Sequence, residues 1–421
     1  MPKLELKTIT RNIGMYGLSQ AIAAFSALLR LPIAIGYLGI SEFGKMVSLI
    51  QLLGVPLLFQ GAMRLHFRKR YSQQDLDGII SFLRIQKRYL KFSVKKFIFP
   101  LLICLGISYI LTDKYFARDI ALNITLTVIL ILLFISILPT AIHYGYLDSQ
   151  SKQNLVISID IVSSVISIPI LILAVNFGLP ISIILCIFTS TFWLPIFVLM
   201  YLTRYRQNTL HKENSPKFDK DFTYSSYLKQ SLGSSLTLNY NSLLFALQNN
   251  PILVAKVNIA EKLLSTIFIP TAALAPIQFV KLSKMASLHR DKYKRLRKQI
   301  LVLNSTLTFI FAIPVVVTAF FVSPFLMNQN NALSWRLILS IAFAYFVYSI
   351  YSTLQLMNLA GGKTSQWILN LGISLGLLSC FLCYEFAPKT RDLTFLFSIG
   401  LIYFAGSSIL LYHFFRKKNN F

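Results

Sequence analysis

The sequence predicts an all-α polytopic membrane protein of about twelve transmembrane helices, arranged as two six-helix bundles. Three observations predict it. The 421-residue chain is 55% hydrophobic and 13% charged, against about 25% charge in a soluble domain. Its apolar residues come in runs of about 20, the length that crosses a hydrocarbon core about 30 Å thick. Period-two alternation is absent, so the backbone must satisfy its hydrogen bonds within helices and not in a closed barrel.

Spans are expected at 12–38, 43–63, 97–112, 121–143, 155–176 and 179–202, then at 231–257, 262–280, 301–323, 335–358, 366–386 and 393–415. The polar break between the sixth and seventh spans divides the chain. It leaves an N-terminal bundle at 1–202, a linker at 203–230 and a C-terminal bundle at 231–421. The first apolar run is too long for a signal-peptide core and reads as a retained first span. The segment Asp75–Lys96 interleaves Ile79, Ile80, Leu83 and Leu90 with Arg84, Lys87, Arg88, Lys91 and Lys95. Two readings fit it equally: an amphipathic helix on the inner leaflet, or a solvated basic loop.

Charge sets the expected orientation. With the N-terminus inside, 32 of the 41 Lys and Arg residues fall on cytoplasmic segments. Eight fall on external ones, and Arg30 lies inside the first span. That asymmetry puts both termini and the linker in the cytoplasm.

The same pattern removes other function classes. The net charge of +26 would suggest nucleic acid in a soluble protein. Here the cations sit between apolar runs, so no nucleic-acid partner is expected. Cys104, Cys186, Cys380 and Cys383 all lie in apolar runs and form no disulfide framework by pattern. Gly361-Gly362-Lys363-Thr364 looks like the end of a phosphate loop, but the required first glycine is Met357. Gly372 and Gly376 suit close helix packing. No metal motif stands out among the five histidines. No cofactor and no enzymatic activity are expected.

Candidate site residues come from polar groups inside spans. Asn12, Tyr16, Ser19, Ala23, Ser26 and Arg30 fall on one face of the first span at about 100° per residue. Two readings of Arg30 stand. It faces a water-filled cationic lumen, or it snorkels to the external headgroups. The seventh span has a comparable face of Ser231, Ser235, Asn239 and Ser242, flanked by Asn241 and Gln248, with Asn249 and Asn250 following. These line a cavity or glue helices together. Asp160 is the acid placed well inside a span, as an ion-coupling site or as a structural partner. Arg64 ends the second span, at a cytoplasmic mouth or as one more inner-surface cation.

An internal repeat is also legible. Pro32–Glu42 reads PIAIGYLGISE and Pro251–Glu261 reads PILVAKVNIAE, an ungapped match at an offset of 219 with four of eleven positions identical. Chance alone reaches such a match. The offset nonetheless maps the first span onto the seventh, as in transporters built from parallel repeats.

The order of features resembles a known family. RNIGMYGLSQ followed by LPIAIGYLGISEFGKMVSLIQLLG, then ILVAKVNIAEKLLSTIFIPTAALAP, then NLAGGKTSQW resemble the Wzx-type polysaccharide flippases. These belong to the multidrug/oligosaccharidyl-lipid/polysaccharide (MOP) exporter superfamily, which includes the MATE proteins. The resemblance covers nearly the whole chain through loose motifs, the most specific being the proline, the LG and the following FG near Leu38–Gly44. It implies a MATE-like fold whose first, second, seventh and eighth spans line a cavity. It implies transport of undecaprenyl-pyrophosphate-linked oligosaccharide from the inner to the outer leaflet, for O-antigen or another surface polysaccharide. Partners would be that lipid-linked glycan, membrane lipids and other glycan-assembly membrane proteins. Three competitors follow: a multidrug/cation antiporter of the same superfamily, which would present acids to a cationic drug; a lipid II flippase; and a membrane polymerase or ligase of the glycan pathway, which would need a large external loop.

Overall fold

The computed structural model describes residues 3–73, 79–117, 119–149, 153–206, 250–288, 290–327 and 333–360, with a few more near 405–409. All regular structure among them is helical.

The first element, α1 (Lys3–Gln73), is two helices joined at Gly39, where φ is 76° and ψ is 159°. That conformation is open to glycine and strained for residues with a Cβ. Ala21–Gly61 is apolar enough to cross a membrane over 41 residues. At 1.5 Å per residue it would reach about 60 Å if straight, about twice the hydrocarbon core. The break at Gly39 divides it into the two predicted spans, here called the first and second arms.

Next come α2 (Ile79–Phe116), α3 (Ile120–Ser149), α4 (Gln153–Asn176) and α5 (Ile181–Arg206). They contain the spans predicted at 97–112, 121–143 and 155–176, and all but the first residues of 179–202. The basic segment before the third span is helical from Ile79, not a loop, and runs unbroken into the span. Asp119 accepts a hydrogen bond from Leu122 N at 3.0 Å and starts α3. Tyr37 donates to the carbonyl of Leu179 at 3.0 Å, tying the first arm to the turn between α4 and α5.

Residues 207–249 and 361–404 fall outside the described residues, and with them the linker beyond Arg206, most of the seventh span and the eleventh. The chain is described again from α6 (Pro251–Leu264), which passes through a 3₁₀ turn at Ser265–Phe268 into α7 (Ile269–Leu288). Then come α8 (Arg290–Met327) and α9 (Trp335–Ala360).

The boundary between the seventh and eighth spans differs from expectation. Hydropathy carries the seventh span to 257. In the structure a new helix begins at Pro251, with the Asn250 side chain accepting from Leu253 N at 3.1 Å. Proline at the first helical position and asparagine at the cap form a start signal. The polar run Gln248-Asn249-Asn250 before it reads as part of the seventh span's polar face, and the apolar run after Pro251 carries the span on. The two chain breaks, Gly39 and Asn250, are 211 residues apart. The offset of 219 pairs Gly39 with Asn258, in the interior of α6, and is out of register with these breaks.

Among the described residues six helices are long and apolar enough to cross a membrane, or seven if the pair Pro251–Ala275 and Ile277–Ser283, bent by 41°, is one span. The outward faces agree. On α3, Ile120, Ile124, Val128, Leu132 and Ile135 are exposed at three- and four-residue spacing, an apolar stripe that suits lipid. The protein is a multi-pass membrane protein. Its helices fall into a group before the linker, α1 to α5, and a group after it, α6 to α9. The second arm joins the two groups, because α1 packs on α3 and α4 and also on α6 and α7.

Candidate substrate cavity

Between the two groups lies a cavity of about 390 Å³. The first arm contributes Ala27, Arg30 and Leu31, and the second arm the face running from Phe43 to Leu57. Phe188, Thr191 and Phe192 come from α5, Tyr345 from α9, and Asn258, Glu261, Lys262 and Ser265 from α6 and its turn.

Arg30 is 7% exposed. Its Nε donates to the carbonyl of Ser26 at 3.3 Å and its Nη1 to the carbonyl of Phe188 at 3.4 Å. The guanidinium lies 5.5 Å from the centre of the Phe188 ring, a cation–π contact that holds charge against an apolar wall. The break at Gly39 comes nine residues after Arg30, which is about 13 Å of helix. That depth and those contacts place the side chain against the cavity wall, away from the helix end. Ser26 is buried directly behind it.

Glu261 and Lys262 sit at similar depth, about 16 Å along α6 from Asn250. Glu261 is buried and Lys262 is accessible through the cavity. Lys262 lies within electrostatic reach of both Glu261 and Arg30. The cavity therefore holds two cations and one acid among its described lining.

Sequence reasoning missed Glu261 and Lys262 as cavity residues, placing Lys262 at an external span end. The signal was present. Asn258, Glu261, Lys262 and Ser265 are spaced three, one and three residues apart, which is one helical face. The false span boundary cut that face in two.

A smaller cavity of about 240 Å³ adjoins the first toward the Gln73 end of α1. Leu57, Thr191 and Phe192 line both. Gln60, Gly61, Arg64, Tyr144 and Pro195 complete its wall. The Arg64 guanidinium stacks 4.5 Å from the Tyr144 ring centre, and the Tyr144 hydroxyl donates to Asp160 Oδ1 at 3.3 Å. Two residues expected to act separately, Arg64 and Asp160, thus converge on one tyrosine. Asn12 and Tyr16 lie on the first arm, before Ser26, and their side chains are not among those described. Ser235, Asn239, Ser242, Gln248 and Asn249 lie outside the described residues. Among the described residues no cluster of His, Cys, Asp and Glu could hold a metal ion.

The two groups also touch directly. A Cβ on Gly44 would overlap the carbonyl of Pro251, so the second arm and α6 meet backbone to backbone near the Gly39 end. Toward the other end, buried Arg68 lies 6.0 Å from the Phe279 ring of α7.

No protein-family model and no curated protein matches the sequence. Solved structures do match. The lipid II flippase MurJ in an inward closed conformation superposes with a TM-score of 0.62 at 16% identity, over 94% of this chain and 87% of that one. A MATE transporter in complex with MaD5 gives 0.65 at 12% identity, over 97% of each chain. A multidrug resistance MATE transporter of the MOP superfamily, in an outward-facing conformation, gives 0.59 at 12% identity, over 96% of this chain and 94% of that one. The chain has the polytopic helical fold of MATE and MurJ proteins.

Proposed function

We propose that the protein is a flippase of the bacterial inner membrane. Its substrate is undecaprenyl-pyrophosphate-linked oligosaccharide, carried from the inner to the outer leaflet by alternating access of two six-helix bundles. One observation carries this reading: Arg30 and Lys262 line a cavity between the two helix groups. A glycan and its pyrophosphate cannot enter hydrocarbon, whereas a polyprenyl tail can remain there. A guanidinium grips phosphate oxygens through paired hydrogen bonds. The fold's neighbours include a lipid II flippase, and the charge asymmetry of the loops supports cytoplasmic termini.

Glu261 favours a second reading, a multidrug/cation antiporter, because an acid in the cavity would attract a cationic drug. The two cations outnumber it, so the flippase ranks first.

The test measures surface glycan at matched membrane levels of each variant. Arg30→Ala should impair export, Arg30→Lys should keep part of it, and Arg30→Glu should be worst. Glu261→Gln should leave export intact. Full export by Arg30→Glu overturns the cationic cavity. Drug sensitivity caused by Glu261→Gln, with export unchanged by every Arg30 variant, favours the antiporter.

A further inference from the structure

We infer that the smaller cavity is a second anion station, in which Arg64 receives the phosphate group of the ligand before Arg30 and Lys262 do. Tyr144 and Asp160 set its grip. The inference rests on the flippase reading and adds an order of binding to it.

The second arm supplies the track. Gln51, Gly54, Leu57, Gly61 and Arg64 succeed one another at three- or four-residue spacing, and all line one cavity or the other. Each step joins neighbours on the helix surface, and together they form a strip that winds about 140° round the second arm from Gln51 to Arg64. The strip is polar or small at nearly every turn. From Gln51 to Arg64 it covers about 20 Å. The shared wall of Leu57, Thr191 and Phe192 makes the two cavities neighbours along this strip.

The station itself is built by close packing. Tyr144 reaches Arg64 because Gly145, the next residue, lets α3 press against the second arm. A Cβ there would lie 2.7 Å from Phe67 Cβ and 3.0 Å from Arg68 N. Stacking on Tyr144 engages the face of the guanidinium. The in-plane N–H fork is the part that grips an oxyanion. Asp160 holds the tyrosine from α4 through its hydroxyl. It also brings a carboxylate to the hydroxyl edge of the ring. That charge weakens the attraction of Arg64 for an arriving anion, so the station holds its ligand loosely and passes it on.

The whole chain in phosphatidylcholine nanodiscs, titrated calorimetrically with inorganic pyrophosphate, tests this. Two binding events are expected. Arg64→Gln should abolish one and leave the other, and Arg30→Gln should do the converse. Tyr144→Leu should weaken the Arg64 event by at least about three- to five-fold, the worth of a cation–π contact on a buried ring. Asp160→Asn should tighten that event several-fold, a gain that misfolding cannot produce. Two events that both survive Arg64→Gln overturn the station, and so does unchanged or weaker binding in Asp160→Asn. An Arg64-dependent event without any Arg30-dependent one supports the station and sinks the central cavity instead. Repeating the titration in phosphatidylglycerol nanodiscs separates the ligand from bulk lipid headgroups. The Arg64 event should persist there, and its disappearance assigns Arg64 to membrane lipid and overturns the proposal.

Discussion

The helix groups on either side of the linker hold their buried polar side chains in different ways. In α1 to α5 most buried hydroxyls bond back to their own helix. Thr112 donates to the Ser108 carbonyl at 2.8 Å, Thr140 to Ser136 at 2.6 Å and Ser163 to Ile159 at 2.8 Å. In α7 to α9 the polar groups bond to one another across helices. Gln278 and Asn304 exchange two amide hydrogen bonds of 2.8 and 3.0 Å. Asn304 also donates to Thr353 at 3.2 Å, Thr308 meets Ser349 at 2.8 Å, and Ser349 meets Thr271 at 3.3 Å. The first group relies on apolar packing and close approach at glycine. The second carries a polar ladder through its middle. A ladder locks three helices in one register, whereas apolar packing allows more sliding. Rigidity and accommodation are thus divided between the groups, and the second arm contacts both.

The largest effect is expected at the contact between groups. A Cβ on Gly44 overlaps the Pro251 backbone, which no rotamer change relieves. Overpacking of this kind costs about 1–3 kcal/mol, enough to shift a two-state equilibrium by about five-fold or more. Gly44→Val should therefore separate the second arm from α6 and open the cavity at the Gly39 end. Spin labels at positions 42 and 252 should move apart, and transport should collapse. Unchanged label distance would mean that this contact does not hold the closed end.

The next effect is expected inside the ladder. Asn304→Ala removes three cross-helix hydrogen bonds and strands Gln278 in a buried site. The cost should be about 2 kcal/mol, the upper part of the range for interhelical polar contacts in membranes. Thermal unfolding of the purified protein reads it directly. Because the ladder lies in α7 to α9 among the described residues, Asn304→Ala should leave the spin-label distance across Gly44 unchanged. A change there would couple the two regions and break the division drawn above.

How much of this was legible in the sequence varies by region, for physical reasons. Spans before the linker follow from hydropathy, because each apolar run there ends at a polar or glycine turn. Arg30 stands out because a charge within an apolar run is costly. Glu261 and Lys262 did not stand out, since a boundary drawn at 258–261 left them at a loop edge. Asn250 and Pro251 were the stronger punctuation, and a helix begun there puts both on one face. The Arg64–Tyr144–Asp160 arrangement is not readable by any local period. Residues 64 and 144 meet only because Gly145 removes a side chain between α3 and the second arm. The ladder is equally tertiary: Gln278, Asn304 and Thr353 come from three helices, and each alone is an ordinary polar residue in a span.

The smallest effect gives the sharpest test, because it compares the same substitution in both groups. Thr→Val keeps the shape of the side chain and removes the hydroxyl. Thr140 is buried, and its hydroxyl bonds to Ser136 on its own helix. That carbonyl also sits in the helix ladder, so losing the hydroxyl strands no donor. Back-bonding of this type is neutral or slightly unfavourable to the helix. Thr140→Val should change stability by less than about 0.5 kcal/mol. Thr353 is equally buried and also bonds back, to Ser349 at 2.9 Å. It differs in accepting from Asn304 at 3.2 Å. Thr353→Val removes that acceptor and should cost about 1 kcal/mol. Thermal unfolding of both variants, and of each in an Asn304→Ala background, isolates the cross-helix part. The Thr353 cost should shrink when Asn304 is already gone, while the Thr140 value should not move. Equal costs for the two single substitutions would mean that the ladder adds nothing beyond packing, and that the two groups are held alike.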